Sequence, residues 1–434
     1  MFPRSLECRL PVTNYCSANS GQRGWYPFSI VVSTFSLYLG ISHDLLADIP
    51  CTKSVLSRRP VVMACAGQGG GSRGEGKEVV LVTGGAGFLG QHIVRELQER
   101  ASDVGEIRVF DARPYVNKLG HAQPKPVRFV KGDLCCQDDV MKALDGVDTV
   151  IHTAGVVSYG VFPDHDRMQR VNVDGTATLL EACLAKRVPR LIYTSTVDVV
   201  IGEEEIREGD ETLPVPDTFL FPGYPATKLR AEQLVLAANG AAFTTGDDTG
   251  RLHTLALRPN VMYGEEDPFY VTSGLRSAEQ HGGCLTRVGD GGALFQQAYV
   301  GNMAWAHIAA KRALQRSPEQ VGGHVFFVTD DTPLMNTFDF MEPFLSARGL
   351  SLSTYHLPYR LVYNLMRGTE ALLRLISPLY KLNSSTAACS VAYVCKTFYF
   401  SRRQAELLLE YSPVYSYEES LAKCVDYYKN MDLK

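Results

Sequence analysis

From Glu78 onward, short and nearly unbroken apolar runs alternate with stretches whose apolar positions return every three or four residues. The runs Val79–Thr83, Ile107–Phe110, Val127–Lys131, Thr149–Thr153, Leu191–Thr196, Leu252–Leu257 and Val325–Thr329 have the length and β-branched content of strands. Several are apolar continuously, as strands covered on both faces of a parallel sheet must be. Gln91–Glu99, Asp138–Leu144, Asn172–Ala185 and Ala226–Ala237 carry the helical period. Strand–helix alternation predicts an α/β fold, a doubly wound parallel sheet with a smaller C-terminal substrate-binding part. Asn239–Gly250 reads as a polar surface insertion, and no repeat of solenoid length is present.

The N-terminal stretch breaks this pattern. Arg4, Arg9 and Arg23 precede an apolar run from Trp25 to Ile41 that contains Ser29, Ser33, Thr34 and Ser36. The run is somewhat shorter than the about 20 apolar residues of a spanning helix. Residues 1–62 read as a targeting or signal-anchor segment, an unstructured extension (dispensable if translation starts at Met63), or a folded part of the protein. Gly67 to Gly76 reads as a flexible linker. The chain therefore divides into an extension and linker at 1–77, a nucleotide-binding domain at 78–264 and a mainly substrate-binding part at 265–434.

Composition narrows the function. Hydrophobic residues make up 45% and charged residues 21%, enough for a well-buried core. A net charge of -4 argues against a nucleic-acid binder, which would show a basic face. The eleven cysteines form no C-x-x-C pair, and the ten histidines show no metal-ligand spacing, so no metal is expected. Cys135 and Cys136 read as a strand-exit detail in a reduced compartment. Asn383-Ser384-Ser385 formally matches a glycosylation acceptor, a match short enough to arise by chance.

The first strand feeds Gly84-Gly85-Ala86-Gly87-Phe88-Leu89-Gly90 and then a helix, the strand–turn–helix setting of a Rossmann dinucleotide site. Gly84 permits the sharp turn, Gly87 lets backbone approach a pyrophosphate, and Gly90 allows close helix–strand packing. Free N–H groups at the helix start, around Phe88 and Leu89, then face the anion. Twenty-one residues past Gly90 stands Asp111, placed to accept hydrogen bonds from adenosine ribose hydroxyls and to repel a 2′-phosphate. NAD is favoured over NADP, although Arg113 is near enough to hold that phosphate. Asp133 and Leu134, ending the third strand, are expected at the adenine. Thr153 and Ala154, ending the fourth, are small enough to pass under the cofactor. His152 reads as a locally bonded packing residue.

Tyr224-Pro225-Ala226-Thr227-Lys228 places a phenol and an ammonium four residues apart on one helical face. A phenol is a poor base at neutral pH, and a neighbouring ammonium favours its phenolate. Lys228 can also hold the nicotinamide ribose. The fifth strand ends in Tyr193-Thr194-Ser195-Thr196. Either Ser195 or Thr196 can supply a hydroxyl to the substrate oxygen, and alternation along a strand admits only one.

With these motifs the chain resembles an extended short-chain dehydrogenase/reductase, and within that group the 3β-hydroxysteroid dehydrogenase family. The resemblance extends through Val171-Asn172-Val173-Asp174-Gly175-Thr176, Ala256-Leu257-Arg258-Pro259 with Tyr263-Gly264, Tyr299 to His307, and Asp330-Asp331-Thr332-Pro333. It implies that Thr196 is the catalytic hydroxyl, that Pro259 contacts the nicotinamide, and that a 3β-hydroxyl of a steroid or sterol is oxidised with NAD by Thr196, Tyr224 and Lys228. It also implies a homodimer, and placement on the cytosolic face of the endoplasmic reticulum membrane, with mitochondrial or plain cytoplasmic placement as alternatives. Two-step relatives place a proton-donating tyrosine where this chain has Phe326, which weighs against an isomerase step. Gly132-Asp133-Leu134-Cys135 and Tyr355-His356-Leu357-Pro358-Tyr359 also resemble sterol-4-carboxylate 3-dehydrogenases, whose catalytic set is the same.

An amphipathic helix is expected near 357–380. Arg360, Asn364, Arg367, Glu370 and Arg374 fall within a sector of roughly 120°. Leu361, Val362, Leu365, Met366, Leu372, Leu373 and Ile376 occupy the remainder. The charges argue against a spanning helix and suit one lying in a membrane interface, or one packed on its own domain. Two other functions compete: an extended dehydrogenase or epimerase acting on a nucleotide sugar or flavonoid-like ketone, and a non-catalytic NAD sensor. The apolar C-terminal half weighs against sugars, and the intact Thr196, Tyr224 and Lys228 against the sensor.

Overall fold

A computed structural model describes residues 77–244, 250–378 and 387–433. The N-terminal extension, its linker up to Gly76 and the Asn383 acceptor lie outside the described residues.

Seven parallel strands form the central sheet. They are β1 (Glu78–Thr83), β2 (Val104–Asp111), β3 (Val127–Lys131), β4 (Thr149–His152), β5 (Arg190–Thr194), β6 (Arg251–Pro259) and β7 (Val325–Val328). Their spatial order is β7-β6-β5-β4-β1-β2-β3, with Ala241–Ala242 added antiparallel to β6. The order reverses between β1 and β4, where crossovers leave a crevice at the carboxyl ends of the strands. β1 is buried throughout and sits in register between β2 and β4, Val82 opposite both Val109 and Ile151.

Strand alternation sorts the apolar side chains onto two faces. Val80, Val82, Val109, Ile151, Ile192 and Leu257 pack under α1 (Phe88–Arg100) and a later long helix, Val300–Arg316. Val79, Leu81, Val150, Leu191 and Ala256 pack under α2 (Gln137–Ala143), α3 (Gly175–Lys186) and α4 (Tyr224–Ala237). α1 begins three residues before its helical period becomes visible, because Gly90 sits inside its first turn. The third helical stretch is compound: a π-helical segment, Gln169–Asp174, runs into α3. β5 ends two residues before its apolar run does.

Past residue 264, α5 (Val271–Gln280), α6 (Val300–Arg316), α7 (Thr337–Ala347), α8 (Tyr359–Ile376), α9 (Ala388–Cys395) and α10 (Tyr417–Asn430) follow. Of these helices α6 packs under the nucleotide-binding sheet, whose edge β7 completes; the others, with the paired strands Cys284–Val288 and Ser351–Leu357, build the smaller lobe. In α8 the expected apolar face divides. Val362, Met366 and Leu373 are buried, whereas Leu361, Leu365, Leu372 and Leu375 are exposed.

One buried ion pair joins α4 to the sheet. Arg258 of β6 makes a two-point contact with Glu232, Nε to Oε2 at 3.0 Å and Nη2 to Oε1 at 2.6 Å, and both residues are buried. Removing one partner strands the other charge in the core. Glu232→Ala is expected to cost about 3–5 kcal/mol of unfolding free energy in chemical denaturation. A loss below about 1 kcal/mol would mean that Arg258 finds water or another acceptor.

Candidate active site

A cleft of about 1660 Å³ opens at the carboxyl ends of β1, β4, β5 and β6. Each residue that the sequence put forward borders it: Gly84, Gly87, Phe88, Leu89, Gly90, Asp111, Asp133, Leu134, Thr153, Ala154, Thr196, Tyr224, Lys228 and Pro259.

The cofactor half is a backbone cradle. Gly84 has φ +71°, and a Cβ there would stand 2.8 Å from the Ala154 backbone. A Cβ on Gly90 would stand 2.3 Å from the Gly84 carbonyl oxygen. α1 has no side-chain cap, so the N–H groups of its first turn stay free for an anion in the cleft. Asp111 is fixed at the rim, its carboxylate accepting from the N–H of Ala86 (3.1 Å) and of Arg113 (2.9 Å). The Arg113 guanidinium lies 3.9 Å from that carboxylate and is mostly exposed. The Cys135 N–H and Arg170 hold the Asp133 carboxylate below its usual range. Thr153 donates from Oγ1 to the Thr83 carbonyl (2.8 Å) and Leu134 packs on Gly175. These donors, the bare glycine turn and the rim carboxylate fit a dinucleotide.

The other half carries Thr196, Tyr224 and Lys228. Tyr224 opens α4, and Lys228 lies one turn on. Lys228 Nζ donates to the Thr194 carbonyl at 2.5 Å and sits 4.2 Å from the centre of the Tyr193 ring. Burial lowers its ammonium to about 7, with the Glu232 carboxylate pulling the other way. The Tyr224 phenol is driven up, first by burial and then by the charge of Asp198. In this state the ammonium is thus engaged by Thr194, and burial outweighs its expected pull on the phenol.

β5 stops at Thr194, so strand alternation does not decide between the two hydroxyls beyond it. Both Ser195 and Thr196 border the cleft. Thr196 Oγ1 accepts from the Asp198 N–H (3.2 Å), which leaves its own hydrogen available; Ser195 Oγ is buried with no partner among the described residues. His152 bonds Thr83 (2.7 Å) and Thr176 (2.9 Å), and burial lowers it to about 3, as suits a packing residue. Phe326 is buried in β7, and Asp330 accepts from the N–H groups of Tyr299 and Thr332 and from Asn302. Neither borders the cleft.

Sequence reasoning passed over several residues in the wall or bracing it. Asn172 exchanges hydrogen bonds with the backbone of Val156 (2.7 and 2.9 Å) and donates to Thr227 (3.1 Å), clamping the segment after β4 against α4. Its only signal was membership of the Val171–Thr176 motif. Asp198, Tyr159 and Tyr393 come from three distant segments and carried none. The Tyr159 hydroxyl donates to Asp198 at 3.3 Å and the Tyr393 hydroxyl at 3.1 Å, and the Tyr159 ring stands edge-on to Tyr224 at 5.5 Å between centres. Phe221, Met262, Phe269, Tyr270 and Val394 add apolar surface to this wall.

Residues 81–359 match the model of the 3-beta hydroxysteroid dehydrogenase/isomerase family. The chain is similar to 3 beta-hydroxysteroid dehydrogenase type 7 of Mus musculus, 36% identical over 82% of this chain and 96% of that one. It is also similar to short-chain dehydrogenase/reductase family 42E member 1 of Mus musculus, 34% identical over 78% and 84% of the two chains. Among solved structures, an NAD complex of UDP-glucose 4-epimerase from Thermus thermophilus superposes with a TM-score of 0.58 at 23% identity, over 82% and 100% of the chains; that likeness is one of fold.

The buried lysine sets a pH dependence. Folding lowers Lys228 from 10.5 to about 7, so between those values the unfolded chain holds the extra proton and stability rises with pH. The stability of the wild type relative to Lys228→Met is therefore expected to climb in thermal denaturation from about pH 7 to about pH 9 and to level off at lower pH. A flat or falling difference across that window would contradict a desolvated ammonium.

Proposed function

The chain belongs to the 3-beta hydroxysteroid dehydrogenase/isomerase family and is an NAD-dependent oxidoreductase; on that premise we propose that it oxidises the 3β-hydroxyl of a steroid or sterol to the 3-ketone. The observation that carries this reading is one cleft bordered by Thr196, Tyr224 and Lys228, by the rings of Tyr159, Phe221 and Tyr270, and by a dinucleotide cradle.

NAD, when bound, accepts the hydride from carbon 3. Tyr224 takes the hydroxyl proton as general base. Thr196 has a lone pair occupied by the Asp198 N–H, so it donates its hydrogen to the substrate oxygen and fixes that oxygen beside the phenol. Lys228 adds positive charge one helical turn away, which favours the deprotonated phenol. Gly84, Gly87 and Gly90, with the N–H groups of Phe88 and Leu89, would hold the pyrophosphate of a bound NAD. Asp111 would take the adenosine ribose, Asp133 and Leu134 the adenine, Thr153 and Ala154 would line the cofactor's path, and Pro259 would contact the nicotinamide. The rings of Tyr159, Phe221 and Tyr270 suit a rigid hydrocarbon better than the hydroxyls of a sugar.

The exposed leucines of α8 support a membrane-surface role. Among the described residues no helix is long and apolar enough to cross a membrane. Leu361, Leu372 and Leu375 project from α8 while Val362 and Met366 anchor its other side. Lying in the headgroup region would bury these leucines and bring the protein to where sterols partition, such as the cytosolic face of the endoplasmic reticulum.

Tyr224→Phe should still bind NAD, seen by calorimetry, and lose at least about 100-fold in turnover of a 3β-hydroxysteroid. Retained turnover would overturn the assignment of the base. Replacing Leu372 and Leu375 together by serine should release the protein from phospholipid vesicles in flotation while leaving turnover of a soluble steroid intact. Unchanged flotation would return α8 to an ordinary surface helix.

A further inference from the structure

The catalytic residues accept a 3β-hydroxysterol with or without a carboxylate on the neighbouring carbon 4. The wall around them does not treat the two alike. Resting on the dehydrogenase reading, we propose that Asp198 is a charge filter of the substrate site, admitting neutral 3β-hydroxysteroids and excluding those that carry a carboxylate beside the reacting carbon.

Placement comes first. Asp198 lies two residues beyond Thr196, in the short turn Val197–Val200, and its N–H holds the Thr196 hydroxyl. Its carboxylate accepts from Tyr159, whose ring stands edge-on to Tyr224. Asp198, Tyr159, Tyr393, Tyr224 and Thr196 all border the same cleft. A substrate whose oxygen lies between Thr196 and Tyr224 has carbon 4 only two bonds from that oxygen, within reach of the wall that Asp198 shares with them.

Charge comes second. Asp198 is buried, and among the described residues no lysine or arginine pairs with it; its carboxylate accepts from two phenols. Burial pushes its carboxyl up to about 6, which leaves it ionised at neutral pH. Both phenol hydrogens already point at Asp198, so Tyr159 and Tyr393 have lone pairs left for anything else in the cleft. At this part of the wall an arriving carboxylate would meet one fixed negative charge and two phenol oxygens whose hydrogens are engaged. Two unit charges about 6 Å apart at an effective dielectric constant of about 20 correspond to about a 100-fold penalty.

The test uses the full chain with NAD and three substrates: a 3β-hydroxysterol, its 4-carboxamide and its 4-carboxylate. At pH 7.5 the wild type should favour amide over carboxylate by about 100-fold in kcat/KM. Asp198→Asn keeps the N–H that holds Thr196 and should bring that ratio to within about 3-fold, and Asp198→Glu should keep it high. A wild-type ratio below about 3 overturns the filter by itself, even if Asp198→Asn fails to fold. So does a ratio that Asp198→Asn leaves unchanged. Failure of the wild type to oxidise any of the three sterols overturns the dehydrogenase reading, and the filter with it.

Discussion

The structure depends on a close approach of backbone to backbone where β1 ends. Gly84 turns the chain against Ala154, and Gly90 lies on the Gly84 carbonyl, with no room for a Cβ at either position. With side chains excluded, the wall of the crevice is made of peptide groups, and the free N–H groups of α1 face into it. The same packing continues toward the catalytic half. A Cβ on Gly155, one residue past Ala154, would stand 3.4 Å from Asn172 Oδ1 and 3.9 Å from Lys228 Nζ. The cradle and the tyrosine–lysine pair are thus two ends of one tightly packed seam.

Outside the cleft, buried charge is compensated. Glu232 meets Arg258, and Lys311, fully buried under the sheet, pairs with Glu78 and with Asp103 at 2.5 Å. Asp330 is consumed by backbone N–H groups and Asn302 and fixes the start of α6. Inside the cleft the rule relaxes. Ser195 Oγ has no partner among the described residues, and Asp198 has phenols where an ion pair would be cheaper. Both groups border the cleft, where a ligand can complete the set.

Much of this was legible in the sequence, for an identifiable reason. The sheet could be read because strands buried on both faces must be apolar throughout, and the cradle because only glycine tolerates such contacts. Strand ends were less legible. Leu191–Thr196 is uniform in character, yet β5 stops at Thr194 once Thr196 turns to cap the segment carrying Asp198. Sequence spacing says nothing of desolvation, which here raises the phenol and lowers the ammonium, so any help that Lys228 gives Tyr224 works against burial. The amphipathic face of α8 was visible as a stripe, but its division into anchored and exposed leucines depends on the packing of α9 against it.

The substrate wall escaped sequence reading because tertiary structure alone assembles it. Tyr159 follows β4, Asp198 follows β5 and Tyr393 belongs to α9, and they meet through one carboxylate. The arrangement couples chemistry to selectivity. The hydroxyl at Thr196 and the charge at Asp198 share a single turn, held by the bond from the Asp198 N–H to the Thr196 oxygen. A backbone N–H survives any substitution at that position other than proline. The Thr196 hydroxyl can therefore stay oriented while the side chain two residues on changes the sign or polarity of the wall. On the proposed reading, a fold built this way can shift from neutral to anionic substrates without moving Thr196 or Tyr224.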